Sequence, residues 1–113
     1  MRTPEIELLW WEGCPSTDRA LGELRDALAE LDLAGAHVQK TEIRTDDDAG
    51  AAGFCGSPTI LIDGADLVPA GPDDVIGLSC RVYRRRDGKI SPTPDPDDLR
   101  AALRRAAQME MNR

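Results

Sequence analysis

The sequence predicts a mixed α/β domain, and three stretches carry that prediction. In residues 5–10 (EIELLW), Ile6, Leu8 and Trp10 alternate with Glu7 and Leu9, and the apolar Leu9 on the second face suggests a buried strand. Four leucines between residues 21 and 31 follow one another at spacings of three and four, the stripe of an amphipathic helix. Residues 59–62 (TILI) are apolar and partly β-branched, and the Asp63-Gly64 turn signal after them predicts a hairpin.

The remaining elements of the first half follow from shorter signals. Residues 16–18 (STD) are typical of the start of a helix, and we expect Gly35 to end it. Residues 36–44 predict a second strand, although its apolar positions do not fix a register. Residues 46–54 begin with three aspartates and continue with alanine and glycine, which predicts a short helix capped by the acids.

In the second half, the chain returns from the hairpin turn through residues 66–68 and enters a loop at 69–74. Residues 78–83 (LSCRVY) predict a short extended piece, and the polar, proline-rich stretch 84–96 predicts a loop. Pro96 and its acidic neighbours then open a last helix. Its buried stripe is expected to be Leu99, Leu103 and Ala106.

The order strand, helix, strand, short helix, hairpin, helix predicts one βαβ unit joined to a hairpin, and so a mixed sheet with helices against it. We find no repeat and no linker, so the 113 residues are interpreted as a single domain.

Composition narrows the classes of partner. The net charge of -7 and the pI of about 4.6 argue against nucleic acid and anionic membrane surfaces. The N-terminal residues do not have the pattern of a secretory signal, so we expect a cytoplasmic protein. Structural disulfides are rare there, and three cysteines therefore point to thiol chemistry or metal binding.

The stretch WWEGCPST, residues 10–17, places Cys14 where the first strand stops and the first helix begins. A helix N-terminus favours a thiolate, which is the nucleophilic form of cysteine. Glu12 opposes this by like-charge repulsion, and the single histidine, His37, is distant in sequence. Cys14 is interpreted as a working thiol; the alternative is a small buried apolar residue.

These features together resemble the thioredoxin fold: Cys14 at a strand-to-helix junction, Ser57-Pro58-Thr59 leading into a strand, and a hairpin before a last helix. The resemblance covers residues 5–107. It implies a thioredoxin-like domain with a central mixed sheet of about four strands flanked by helices. It also implies that Cys14 is the active cysteine and that a cis proline, Pro58, faces it.

More narrowly, GCP, GSPT and GLSCRVYR resemble a family of small bacterial thioredoxin-like proteins, some of which carry an alkylmercury-lyase label. That resemblance implies thiolate–mercury chemistry, although these residues contain no recognisable lyase mechanism. The chain departs from dithiol thioredoxins because Thr17 stands where C-x-x-C has its second cysteine. Monothiol glutaredoxins are similar in this respect.

The resemblance assigns roles to further residues. Cys14, Cys55 and Thr17 are the expected catalytic group. Cys55, three residues before Pro58, is a candidate resolving thiol or second thiolate ligand, and the alternative is that it packs in its loop beside Phe54. An external thiol could also resolve a Cys14 adduct. Ser57, Pro58 and Trp11 are expected to bind substrate, and the backbone groups of Ser57 are expected to be free to pair with it.

Cys80 in LSCRVY is interpreted as a half-buried strand residue or as a second candidate for the resolving thiol. If Cys14, Cys55 and Cys80 converge, they form a site for a soft cation such as Hg(II), Cu(I) or Zn(II), although their spacing matches no compact zinc pattern.

The two tryptophans and a group of basic residues are the last candidates for the functional site. One of Trp10 and Trp11 is expected to enter the core and the other to cover the thiol. A basic patch is expected to receive an anionic substrate or a second copy of the chain, unless it is simply solvated; its members are Arg81, Arg84, Arg85, Arg86 and Lys89.

The sequence therefore predicts a thioredoxin-like thiol protein that exchanges disulfides with a protein or small-molecule thiol. A soft-metal or organomercurial binding protein is the alternative, and a non-catalytic interaction module is a further one. No cofactor can be assigned from these residues, and a homodimer stays open.

Overall fold

A computed structural model describes residues 3–69 and 75–108 and shows a mixed sheet at the centre of the molecule. The sheet has four strands, β1 (Ile6–Trp10), β2 (Val38–Glu42), β3 (Thr59–Ile62) and β4 (Ala65–Asp66). Their order across the sheet is β2-β1-β3-β4. The α/β class, the four-stranded mixed sheet and the flanking helices are as the sequence predicts.

Strand β1 lies in the middle of the sheet and pairs on both sides. It runs parallel to β2, with Ile6 opposite Val38, and antiparallel to β3, with Leu9 opposite Thr59. The parallel pair is joined through helix α1 (Thr17–Glu30), which makes the predicted βαβ unit. The register of β2, which sequence alone left open, is therefore fixed by β1.

Helices cover both faces of this sheet. Helix α1 and the last helix, α3 (Pro96–Gln108), pack on one face against Leu8 and Ile60. On the other face, Leu9 packs with Ile43, Ala49 and Phe54, which brings in helix α2 (Asp46–Ala52). The alternation of Leu8 and Leu9 between two apolar clusters explains why β1 has no polar face.

Two helix ends differ from the sequence prediction. Helix α1 ends at Glu30 and not at Gly35, because Asp32 adopts a left-handed conformation (φ 62°) and Leu33 donates to the carbonyl of Leu28 at 2.7 Å. Aspartate tolerates that conformation, so no glycine is required there. In α2 the cap is Thr45, whose side chain accepts from the amide of Asp48; the aspartates form the first turn.

The stretch predicted as a loop, 84–96, begins with a small hairpin. Strand β5 (Tyr83–Arg84) pairs antiparallel with β6 (Ile90–Ser91), and Gly88 (φ 86°) lies in the turn between them. Asp95 then caps α3, since its carboxylate accepts from the amide of Asp97 at 2.8 Å. Most of the predicted loop 69–74 lies outside the described residues.

None of the helices described in residues 3–69 and 75–108 is both long enough and apolar enough to cross a bilayer.

Candidate functional site

Cys14 lies in the turn between β1 and α1, three residues before the helix begins. Its amide donates to the carbonyl of Trp11 at 3.0 Å, which closes the turn. The indole ring of Trp11 lies so close over Gly13 that a Cβ at that position would overlap it. The Gly-Cys sequence therefore allows the turn to fold under Trp11, and the Cys14 side chain is left only 6% exposed.

The cis-proline loop lies against the Cys14 sulfur. The Ser57–Pro58 peptide bond is cis, as the sequence predicts, and Ser57 is fully buried. The Cys14 thiol donates to the carbonyl oxygen of Ser57, with Sγ and the oxygen 3.2 Å apart. Two stretches separated by more than 40 residues thus meet at one sulfur atom.

Cys80 is the second thiol at this place. The backbone of Cys80 pairs with the backbone of Ser57 in an isolated parallel β-bridge. The amide of Ser57 donates to the carbonyl of Ser79, and the amide of Arg81 donates to the carbonyl of Ser57, both at 2.8 Å. The backbone on either side of Cys80 is therefore fixed to the same residue that contacts Cys14.

The thiols of Cys80 and Cys14 are neighbours, and a hydrogen-bonding interaction with Cys14 is the largest cause that raises the pKa of Cys80. Partial desolvation and the negative charge of an ionised Cys14 raise it further. The Cys14 thiol itself donates to the Ser57 carbonyl, so the two cysteines and Ser57 lie together. Cys80 is exposed to solvent.

Arg81 anchors the segment that carries Cys80. Its guanidinium is buried and donates to the Thr59 hydroxyl at 3.1 Å, to the Asp66 carboxylate at 2.9 Å and to the Val68 carbonyl. It also lies over the ring of Tyr83, 4.8 Å from the ring centre. These contacts tie the segment to β3 and β4 of the main sheet.

Tyr83 and Gly56 complete the anchoring. The Tyr83 hydroxyl donates to the carbonyl of Pro58, and burial raises the pKa of that phenol. Gly56 (φ 128°) lets the segment approach, because a Cβ there would lie 2.9 Å from the amide nitrogen of Arg81. We call residues 79–83 the Cys80 segment.

Two unpaired hydroxyls belong to residues beside Cys14. In the described part of the chain, the buried side-chain atoms without a hydrogen-bond partner are Thr17 Oγ1, Ser57 Oγ and Arg85 Nε. Ser57 contacts Cys14 through its carbonyl, and Thr17 is the first residue of the helix that follows. A hydroxyl can both donate and accept, and these two have no hydrogen-bond partner among the described residues.

Cys55, predicted as a resolving thiol, makes a local contact. Its thiol donates to the carbonyl of Gly53, 3.7 Å away. Gly53 ends α2 in a left-handed conformation (φ 65°), and Cys55 follows two residues later at the end of the same helix. The cysteine whose backbone pairs with Ser57, the residue that contacts Cys14, is Cys80.

The three thiols therefore do not converge on one point, as the metal hypothesis requires. Over residues 3–69 and 75–108, no group of three or more histidine, cysteine or acidic side chains is placed to hold a metal ion. A soft cation would have two sulfur ligands, Cys14 and Cys80.

Both tryptophans are half-buried. Trp10 lies under the ammonium group of Lys40, 5.3 Å from its ring centre. Trp11 packs on Gly13 and on the apolar cluster around Phe54. Its outer side lines a cleft of about 540 Å³ formed by Trp10, Trp11, Glu12, Glu42, Ile43 and Arg44.

The expected basic patch is divided between separate contacts. Arg81 is buried, so it is not part of a surface. Arg86 forms an ion pair with Asp98 at 2.7 Å, and Arg85 donates to the Thr93 hydroxyl at 3.1 Å. These contacts join the β5–β6 hairpin to the start of α3.

Sequence reasoning missed the roles of Arg81, Tyr83 and Gly56. A signal was present, because residues 80–83 alternate like a strand. Arg81 and Tyr83 are buried, whereas Cys80 and Val82 are exposed. A charged residue on the inward parity of a strand predicts a buried partner for it, here Asp66.

No protein-family model matches this chain, and neither a curated protein nor a solved structure matches it. The chemistry of the Cys14–Cys80 pair is therefore the basis on which its function has to be inferred.

Proposed function

We propose that this chain is a thioredoxin-like protein that carries out thiol–disulfide exchange with Cys14 and Cys80 as its two thiols. The observation that carries the proposal is that both cysteines meet at Ser57: the Cys14 thiol donates to the Ser57 carbonyl, and the backbone of Cys80 pairs with Ser57. The second cysteine thus comes from a separate segment of the chain and not from a C-x-x-C motif.

The exchange proceeds in two steps. The Cys14 thiolate attacks one sulfur of a substrate disulfide, forms a mixed disulfide and releases the other sulfur as a thiolate, which takes up a proton. Deprotonated Cys80 then attacks Cys14 Sγ, forms the Cys14–Cys80 disulfide and releases the second substrate thiolate. The substrate disulfide gains two electrons and the two cysteines lose them; an external thiol restores the reduced pair.

The interactions that raise the pKa of Cys80 favour its attack in the second step of the exchange. The hydrogen bond to Cys14 and the negative charge of Cys14 are two of the causes that raise the pKa of Cys80. A sulfur in a mixed disulfide carries no charge and is a weaker acceptor. Both causes therefore weaken once Cys14 has reacted, and Cys80 ionises more readily when its attack is needed.

The fold supports the same assignment. A cysteine between β1 and α1, a cis proline just before β3 and a hairpin before α3 are the arrangement that a thioredoxin-like domain would have. We place the chemistry in the cytoplasm, where an exchangeable thiol pair is kept reduced.

The experiment is differential alkylation with peptide mapping, before and after treatment with a mild oxidant. We expect oxidation to protect Cys14 and Cys80 together and to yield one linked peptide pair. The variant Cys55→Ser is the matched control and should form the same disulfide. A Cys14–Cys55 disulfide, or no disulfide at all, would contradict the proposal; the second result favours a non-catalytic interaction module.

Binding of a soft two-coordinate cation is the second candidate, and the adjacency of the same two thiols favours it. Titration with Hg(II) would then show one ion bound per chain. This binding should be lost in Cys14→Ser and in Cys80→Ser and kept in Cys55→Ser. Mercury binding that survives either of the first two substitutions would contradict this candidate.

A further inference from the structure

The backbone edge beside Cys14 is occupied by the protein's own chain. Cys14 Sγ contacts Ser57, so an extended polypeptide that delivered a disulfide to Cys14 would pair with the backbone of Ser57. The Ser57 amide already donates to Ser79, and its carbonyl accepts from Arg81 and from Cys14. The sequence prediction that these groups are free for substrate is therefore wrong.

The Cys80 segment is held at this edge by buried contacts. Its removal would separate the Arg81 guanidinium from Asp66 and the Tyr83 hydroxyl from the Pro58 carbonyl. Separating a buried charge from its partner is costly, because the charge left behind is not compensated. Two backbone hydrogen bonds would give a polypeptide substrate too little free energy to displace the Cys80 segment.

The Cys80 segment does not exclude small disulfides in this way. Cys14 is 6% exposed, and Cys80, which pairs with the neighbouring Ser57, is exposed to solvent. A short, flexible disulfide needs only to align its sulfur atoms with Cys14 Sγ. It requires no backbone pairing at Ser57.

We infer that the Cys80 segment closes the Ser57 edge to polypeptides, so that the Cys14–Cys80 pair exchanges with low-molecular-weight disulfides. This inference rests on the proposed thiol–disulfide function and names the class of its substrate.

The test compares second-order rate constants of the reduced full chain with hydroxyethyl disulfide and with insulin, a polypeptide disulfide. Dithiothreitol is measured with the same two substrates, because it has no binding surface. We expect the ratio of the small-disulfide rate to the insulin rate to exceed that of dithiothreitol by about tenfold or more. A ratio equal to or below that of dithiothreitol would overturn the inference.

A variant that loosens the segment sharpens the test. Gly56→Ala places a Cβ 2.9 Å from the Arg81 amide, so it should push the segment outward and raise the insulin rate relative to the small-disulfide rate. Gly22→Ala is the matched control, because a Cβ at Gly22 meets no atom within 4 Å, and it should leave the ratio unchanged.

The two proposals fail in different ways. If the wild-type chain reacts with both substrates, and its ratio of small-disulfide rate to insulin rate equals that of dithiothreitol, the proposed thiol function is supported. The inference that the Cys80 segment excludes polypeptides is then wrong. If it exchanges with neither, the proposed function itself is wrong, and the substrate class falls with it.

Discussion

At the residue scale, Cys80 and Cys14 meet at Ser57, whose carbonyl accepts from the Cys14 thiol. The interaction with Cys14 is the largest cause that raises the pKa of Cys80, ahead of its desolvation. The reactivity of Cys80 should therefore depend on Cys14.

Cys14→Ala is expected to speed alkylation of Cys80 at pH 7.5 to 8 by several-fold, since each unit of pKa changes the thiolate fraction about tenfold. The alanine removes both the hydrogen-bond acceptor and the charge that raise the pKa of Cys80. Iodoacetamide kinetics with peptide mapping measures the rate. Cys55, whose thiol faces Gly53, is the internal control and should react at an unchanged rate. An unaltered Cys80 rate would show that the two sulfurs do not interact.

At the scale of elements, the β5–β6 hairpin is attached to the main sheet through Tyr83. This side chain is 4% exposed, and its hydroxyl donates to the Pro58 carbonyl. The attachment matters for the thiols, because Tyr83 lies only three residues after Cys80 and holds the end of the Cys80 segment.

Tyr83→Phe is expected to lower the free energy of unfolding near pH 7 by about 1–2 kcal/mol, because it leaves a buried carbonyl without its donor. Burial raises the pKa of Tyr83 in the folded chain. Its contribution is therefore complete below the unfolded pKa, about 10, and is lost as the pH rises above it. The wild type should lose more stability than the variant between pH 9 and about 11.

Urea unfolding at several pH values measures both effects. Tyr83 is the one tyrosine in the sequence, so the variant has no tyrosine that titrates. Above pH 9 it therefore serves as the spectroscopic blank for the wild type. Parallel losses of stability in the two proteins would contradict the role of the buried phenol.

The longer elements could be predicted from sequence because their apolar periods extend over several residues. The leucine stripe predicts α1, and the run 5–10 predicts β1, each within a few residues of its observed bounds. The two-residue strands β5 and β6 could not be predicted, since two residues are too few to show a period. Their pairing depends on the turn at Gly88 and on the contacts of Tyr83.

The candidate site, like the fold, could be predicted only where a local motif marks it. Cys14 and Pro58 stand out from local motifs, and the structure brings them together. The position of Cys80 depends on the contacts of Arg81 with Asp66, 15 residues earlier, and with Thr59, 22 residues earlier. No local pattern encodes pairs at such separations, so the sequence favours Cys55, which is nearer to Pro58 along the chain, over Cys80.

At the scale of the whole molecule, the net charge of -7 acts on every charged substrate. Glu12 is exposed two residues before Cys14, whereas the guanidinium of Arg81 is already paired with Asp66. The net negative charge therefore opposes the diffusion of anions toward the protein.

We expect cystamine, a dication, to oxidise the pair roughly tenfold faster than dithiodiglycolate, a dianion of similar length, at low ionic strength. The difference should shrink at about 0.5 M salt, because screening shortens the range of the charge interaction. Stopped-flow measurement of tryptophan emission follows the reaction, and dithiothreitol corrects for intrinsic reactivity. Equal corrected rates for the two disulfides would contradict the electrostatic argument.

The strand order has a consequence for the growing polypeptide on the ribosome. All four strands of the main sheet lie between Ile6 and Asp66, whereas Cys80 is synthesised later. A nascent chain that ends before residue 79 would hold Cys14, Cys55 and the Ser57 carbonyl but not Cys80. Adjacent thiols at Ser57 are therefore a property only of chains that have been translated past residue 80.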